Sequence, residues 1–304
     1  MSSVHPGPNA ALAPAPRHWR ALLALGLLAA WPAGAWHSEG HRRVAADAVR
    51  VLPREIPAFF RAGAVAVGHA AVDPDTWKSP QAPRLRDQES PEHYLDSELL
   101  GGRPLPPLRS EYQALLARLE LTGSQVGYLP YRIVEATQRL TLAFAEHRRW
   151  PRNRHVRAKT IVYAGLLAHY AADLCQPLHT TIHHDGLALP DGSSPRSGVH
   201  ERVDGLFERV RFDRGTLLRG IAPRRFDDLW SVTTERLERS HALVDRVYEL
   251  EPAIGGDGSA DPEVAAFTRE RYRETAAFLA SLFWTAWRDS EAIELPDWLV
   301  RGDH

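Results

Sequence analysis

Two residue pairs, His169 with Asp173 and His200 with Asp204, stand four positions apart, the spacing that puts two side chains on one face of a helix. An imidazole nitrogen and a carboxylate oxygen so placed can grip one cation together. The first pair lies in Ile161 to Leu174, a segment apolar almost all round that reads as a buried helix. Burying a carboxylate costs on the order of several kcal/mol unless it is paired or coordinates a metal. By itself the pair fits either a hydrogen-bonded His–Asp couple or half of a metal site. More residues of the same two types surround it. His179 follows a loop-forming Gln176-Pro177, Asp75 stands in Asp73-Pro74-Asp75-Thr76-Trp77, His93 precedes Tyr94-Leu95-Asp96, and His41 comes five positions after Trp36. Imidazole and carboxylate without thiolate is the ligand set of zinc, or another borderline divalent metal, in a hydrolytic centre.

Helices must position these residues. Ile133, Ala136, Leu140 and Ala143 step 3-4-3 behind a first-turn Pro130. Glu111 to Glu120 reads as a shorter helix, and Phe226 to Leu250 and Pro262 to Asp289 as long ones, the last capped by Asp261. A helix over about 160–175 carries His169 and Asp173, and a helical stretch over 200–211 carries His200 and Asp204. Pro/Gly-rich connections lie at 80–107, 185–198 and 251–261, and no run alternates like a strand. The expected fold is all-α.

Composition bounds the function. The 304 residues carry 37 Lys+Arg against 38 Asp+Glu, a net charge of −1 that excludes a strongly basic nucleic-acid coat. A single cysteine, Cys175, excludes a disulfide framework or a cysteine-rich zinc module. At the N-terminus Arg17 and Arg20 precede an apolar run, Ala21 to Ala30, then Pro32 and Ala33-Gly34-Ala35. A basic region, a short apolar region and an A-x-A site make a secretory signal peptide, removed after Ala35. The run is too short to span a bilayer, which needs roughly 20 residues. The expectation is a signal peptide over 1–35, a zinc-dependent phosphodiesterase domain over 36–304, no transmembrane segment in the mature chain, and a secreted or periplasmic protein.

Taken in order, Trp36-x4-His41, Asp75, His93, His169-x3-Asp173-x5-His179 and His200-x3-Asp204 resemble the zinc-dependent phospholipase C and single-strand nuclease superfamily, with nuclease P-one typical of its fungal branch. The resemblance is strongest from His169 to His179 and spans residues 36 to 204. It implies a single-domain helical bundle with three zinc ions in a cleft. Carried over, Asp75, His93, His169 and Asp173 hold the first ion, and His179, His200 and Asp204 the second. The Trp36 amine and carbonyl, His41 and a bridging Asp173 hold the third. Only cleavage after Ala35 frees that amine, so processing would complete the site. Asp73 competes with Asp75, which the family's Asp-x-aromatic pattern favours.

The resemblance also implies hydrolysis of a phosphodiester, with Asp75 orienting the attacking water or taking its proton. Single-stranded DNA and RNA are the first substrates to consider, with nuclease or 3′-nucleotidase activity giving 5′-phosphate products. A phospholipase C on phosphatidylcholine-like lipids is the alternative. The Trp36 to His41 spacing and the final aspartate, Asp204, match the nucleases. The Gly-Gly-Asn segment that lines their nucleotide pocket is absent from Thr180 to Gly186, and so are their disulfides. Asp96 matches the nuclease aspartate that recognises the base, although a His-aromatic-x-Asp string also occurs in the phospholipases. A zinc protein without turnover would need fewer ligands, and a redox di-metal bundle would use Glu-x-x-His. His183 and His184 read as an exposed loop, the arginines from Arg148 to Arg157 as a solvated connection, and Cys175 as a small buried side chain.

Overall fold

The long helices begin where the sequence supplies a cap or a first-turn proline. In the computed structural model, which describes residues 38–255 and 261–302, Asn153 accepts from the backbone N–H groups of His155 and Val156 and opens the helix Arg154–Leu174. Asp261 does the same for Pro262–Asp289 through Glu263 and Val264, and Pro130 sits in the first turn of Leu129–Arg149. Among the described residues the chain is almost wholly helical, its β pairing limited to isolated bridges between Leu95 and Gly127 and between His184 and Gly186. No described helix is long and apolar enough to cross a membrane.

The three long helices and Ser38–Arg50 surround one apolar core. Phe60 packs against Phe144 and Phe283 with ring centroids 5.0 and 5.6 Å apart. Two glycines let backbones approach more closely than a side chain permits. A Cβ on Gly68 would sit 2.5 Å from the carbonyl oxygen of Arg42, and one on Gly165 would sit 2.5 Å from the Cβ of Ala70. The helix Ala64–Ala70 is thereby clamped between the helices of His41 and His169, and its end delivers Ala71 and Asp75 to their side chains. The buried Asp47 anchors the far end of the first helix, accepting from Arg50, Arg214 and the hydroxyl of Tyr272.

Several expectations change in detail. The span Phe226 to Leu250 is two helices, Leu229–His241 and Val244–Ile254. The apolar period runs through the break (Leu237, Ser240, Val244 and Val247 are all buried), so periodicity could not reveal it. Each half is tied separately to the loop after His179: His241 Nδ1–H donates to the Thr180 carbonyl, and the Tyr248 hydroxyl to the His183 carbonyl. The 80–107 connection contains Pro83–Glu89 and two 3-10 turns, Ser90–His93 and Ser97–Leu100. The 200–211 stretch is Val199–Asp204 and Leu206–Arg209, hinged at Gly205. The His169 helix is buried all round only from Leu167 onward, since Val162 is exposed. Residues 251–254 finish a helix, while 256–260, the expected signal peptide over 1–35 and Trp36 lie outside the described residues.

Candidate metal centre

Six elements bring the expected residues together in three groups: Asp75, His93 and His169; His41, His169 and Asp173; and His179, His200 and Asp204. Asp173, fully buried, is the hub. Its Oδ1 lies 3.2 Å from His41 Nε2, and its Oδ2 lies 3.0 Å from His93 Nδ1, 3.3 Å from His169 Nε2 and 4.0 Å from His179 Nδ1. Asp75 Oδ1 is 3.8 Å from His169 Nε2. His200 Nε2 is 3.3 Å from Asp204 Oδ2 and 3.0 Å from His179 Nε2. Asp73 belongs to no group; its carbonyl accepts from the Thr76 hydroxyl. Of the third expected set, His41 and Asp173 meet, and Trp36 lies outside the described residues.

The hydrogen bonds around the histidines decide what the cluster needs. A backbone carbonyl can only accept, so a ring nitrogen that bonds to one must carry hydrogen. His169 Nδ1 donates to Ala71, His179 Nδ1 to the carbonyl of His93, and His200 Nδ1 to that of His184, at 2.8, 2.6 and 3.1 Å. In each neutral ring the lone pair is then on Nε2. His179 and His200 therefore aim two lone pairs at each other across 3.0 Å, beside a buried Asp204 Oδ2 that has no hydrogen-bond partner. Burial lowers the pKa of His179 to about 4 and that of His200 well below the usual value, so neither ring supplies a positive charge near neutrality. Burial, with the charges of Asp173 and Asp75 behind it, pushes Asp204 far up. Two Nε2 lone pairs and the Asp204 carboxyl thus converge with at most one proton among them, a donor set that could hold a cation, and each imidazole is already oriented by its other nitrogen.

The first two groups hold more charge. Burial raises the Asp173 carboxyl, yet His169 and His179 outweigh it and hold it well below the usual range. Burial likewise opposes ionisation of Asp75, and the charges of His169 and Lys78 bring it to about 2. Both atoms of His41 that can bond, Nδ1 and Nε2, are buried without a hydrogen-bond partner. In His169 the carboxylates overcome burial and raise the pKa. The negative charge of Asp75 and Asp173 calls for a positive centre beside His169, which a protonated His169 or a cation held by these grouped atoms can supply.

Three supporting residues were not singled out in the sequence. Lys78 Nζ lies 2.7 Å from Asp75 Oδ1, three positions along the same short helical segment. Its signal was visible: Lys78 and Lys159 are the only lysines. Glu89, 5% exposed, places Oε1 3.4 Å from His93 Nε2 and accepts from the Tyr170 hydroxyl. Gln176 Nε2 donates to Asp204 Oδ1 at 2.8 Å and fixes that carboxylate.

Asp96 stands apart from the three groups. Its backbone N–H donates to Val126, and its neighbour Leu95 donates to the His179 carbonyl, so it lies along the rim of the second group. Burial and the nearby Glu98 raise its carboxyl to about 7. An aspartate that folds with a raised pKa keeps its proton where the unfolded chain has lost it, so its contribution to stability falls as pH rises from about 4 through about 7. Asp96→Asn is therefore expected to be more stable than the parent by on the order of 2 kcal/mol at pH 8, discounted for partial exposure, and by little at pH 4. Melting curves across that range check it; an advantage that does not grow with pH contradicts it.

The remaining sequence candidates take ordinary places. His183 Nδ1 accepts from the Ala188 N–H within its loop. Arg148 stacks over Trp287 and donates to Ser290, and Arg157 donates to the Pro151 carbonyl. Cys175 is buried. No family model and no curated protein matches the chain.

Proposed function

We propose that the chain is an exported zinc hydrolase of phosphoester bonds, built as a helical bundle of the phospholipase C and single-strand nuclease type, with single-stranded DNA and RNA as its substrates. The observation that carries this reading is the pair of opposed Nε2 lone pairs of His179 and His200 beside an unpartnered Asp204 oxygen. Asp75, His93, His169 and Asp173 would hold one ion, and His179, His200 and Asp204 a second. His41 and Asp173 would hold a third with the Trp36 amine. When bound, such ions supply positive charge for phosphate oxygens and lower the pKa of water from 15.7 towards about 7.

The chain's own residues do the rest. Asp75, ionised down to about pH 2, accepts the hydrogen bond of the attacking water and orients it. Lys78, 12% exposed, offers an ammonium beside that carboxylate and can turn to an incoming phosphate oxygen. Asp96, whose side chain makes no hydrogen bond among the described residues, is free to meet a base at the rim. A charge-assisted hydrogen bond contributes roughly 1.5–3 kcal/mol, so Lys78→Met is expected to lower kcat/KM about 10- to 100-fold with metal content unchanged. Steady-state kinetics with metal analysis checks this, and parent-like kcat/KM removes Lys78 from the reaction.

One observation favours the lipid alternative. Leu187 and Leu189 are 62% and 48% exposed on the loop that carries His183 and His184 beside the second group. An apolar pair at that rim suits acyl chains. Assaying purified protein on single-stranded nucleic acid and on phosphatidylcholine vesicles, with and without chelator, separates the two. Chelator-sensitive cleavage of nucleic acid supports the nuclease reading, and cleavage of the vesicles alone replaces it with the lipid one.

A further inference from the structure

A second charged site lies in the groove between the two 21-residue helices. Contacts of Arg132 with Tyr170 and of Glu146 with Lys159 show that these helices run antiparallel. On Leu129–Arg149, Arg132, Ala136 and Arg139 follow helical spacing and share a face; on Arg154–Leu174, Tyr163, Leu166 and Tyr170 do the same. These six residues line a cavity of about 220 Å³. Ala136 and Leu166 give the lining an apolar part, and the two arginines and Tyr163 bring donors to it.

The charge in this groove is not used up. Arg132 Nη2 donates to the Tyr170 hydroxyl at 2.9 Å, but Arg132 Nε is buried and has no hydrogen-bond partner. The acids nearest the two guanidiniums, Glu89 to Arg132 and Glu135 to Arg139, stand at 3.8 Å, outside hydrogen-bond reach. Glu135 is also committed to Arg109, at 2.7 Å. No carboxylate lines the cavity itself. Two guanidiniums, one with a buried unpaired N–H, and the Tyr163 phenol match an oxyanion in charge and donor number, the Tyr170 hydroxyl being given to Glu89.

We propose that this groove binds a phosphate-class oxyanion between Arg132 and Arg139, at a site that shares no residue with the metal cluster. The shared chemistry has two sources, free inorganic phosphate or a phosphodiester of a bound single strand. The proposal stands whether or not the cluster holds zinc. The Arg132 end connects, through Tyr170 and Glu89, to His93, so an occupant would be felt at the metal ligands.

Equilibrium dialysis of radiolabelled inorganic phosphate against purified parent, Arg139→Gln and Arg139→Lys tests it. Arg139 is half exposed, so neither substitution threatens the fold. The parent is expected to bind one phosphate per chain that Arg139→Gln binds at least about tenfold more weakly, the loss of one charged hydrogen bond, with Arg139→Lys between them. Phosphate held by the metal cluster appears equally in all three and cancels. Equal number and affinity in parent and Arg139→Gln overturns the proposal. Titrating a phosphorothioate thymidine strand against the bound phosphate then assigns the source. Displacement of the Arg139-dependent phosphate identifies the strand, and retention identifies the free oxyanion.

Discussion

Asp173→Asn is expected to empty the two proposed ion sites that share this carboxylate and to lower phosphodiester hydrolysis by more than about 100-fold. That bound exceeds the 10- to 100-fold typical of losing a partner that only orients a ligand. The reason is the position of Asp173, with four histidines within 4.0 Å of its two oxygens and no solvent exposure. Asparagine keeps the shape, removes the charge, and turns an N–H₂ group towards nitrogens that need an anion or a cation. Metal analysis together with kcat/KM reads the outcome, and helical content by circular dichroism shows that the bundle persists. Parent-like metal content would mean that the hub is a structural ion-pair network.

Asp204→Asn should move stability in opposite directions with and without metal. In chelated protein Asp204 is a buried carboxyl with its pKa pushed far up, and its Oδ2 faces His200 Nε2 at 3.3 Å. Asparagine can keep the bond from Gln176 on Oδ1 and donate from Nδ2 to His200 Nε2 as the neutral carboxyl can, without the cost of keeping a carboxyl protonated near neutrality. Removing that cost stabilises by about 1–3 kcal/mol, so the chelated variant should melt above the chelated parent at neutral pH. With metal present the order reverses. A ligand at 1,000 times its Kd stabilises the folded state by about 4 kcal/mol, and the variant forfeits most of that at the second group. Melting curves with chelator and with added zinc distinguish the cases. A purely structural His–Asp pair predicts destabilisation in both buffers.

The legible part of the site was the part written in local spacing. His169 with Asp173 and His200 with Asp204 stand one helical turn apart, and helices do form there. The caps at Asp261 and Pro262 fixed a helix end for the same reason. The acceptors that orient the imidazoles could not be read, because they are backbone carbonyls of Ala71, His93 and His184 and carry no residue signature. Glu89 precedes His93 by four positions, a relation hidden by reading 80–107 as plain loop. The choice between Asp73 and Asp75 needed the fold: two positions apart on one short helix, they face different ways, and only Asp75 meets His169. Ser38–Arg50, which carries His41, was not read as a helix, and its close packing depends on Gly68 of a separate helix, Ala64–Ala70.

The central proposal is that the cluster is a metal centre that hydrolyses phosphoesters. The most direct test measures bound metal in the purified protein beginning at Trp36 and, on the same sample, cleavage of single-stranded DNA and RNA before and after chelation. The expected result is three zinc ions per chain and release of 5′-phosphate products that stops on chelation and returns with zinc. A folded protein that binds no divalent metal, with His179, His200 and Asp204 intact, would contradict it.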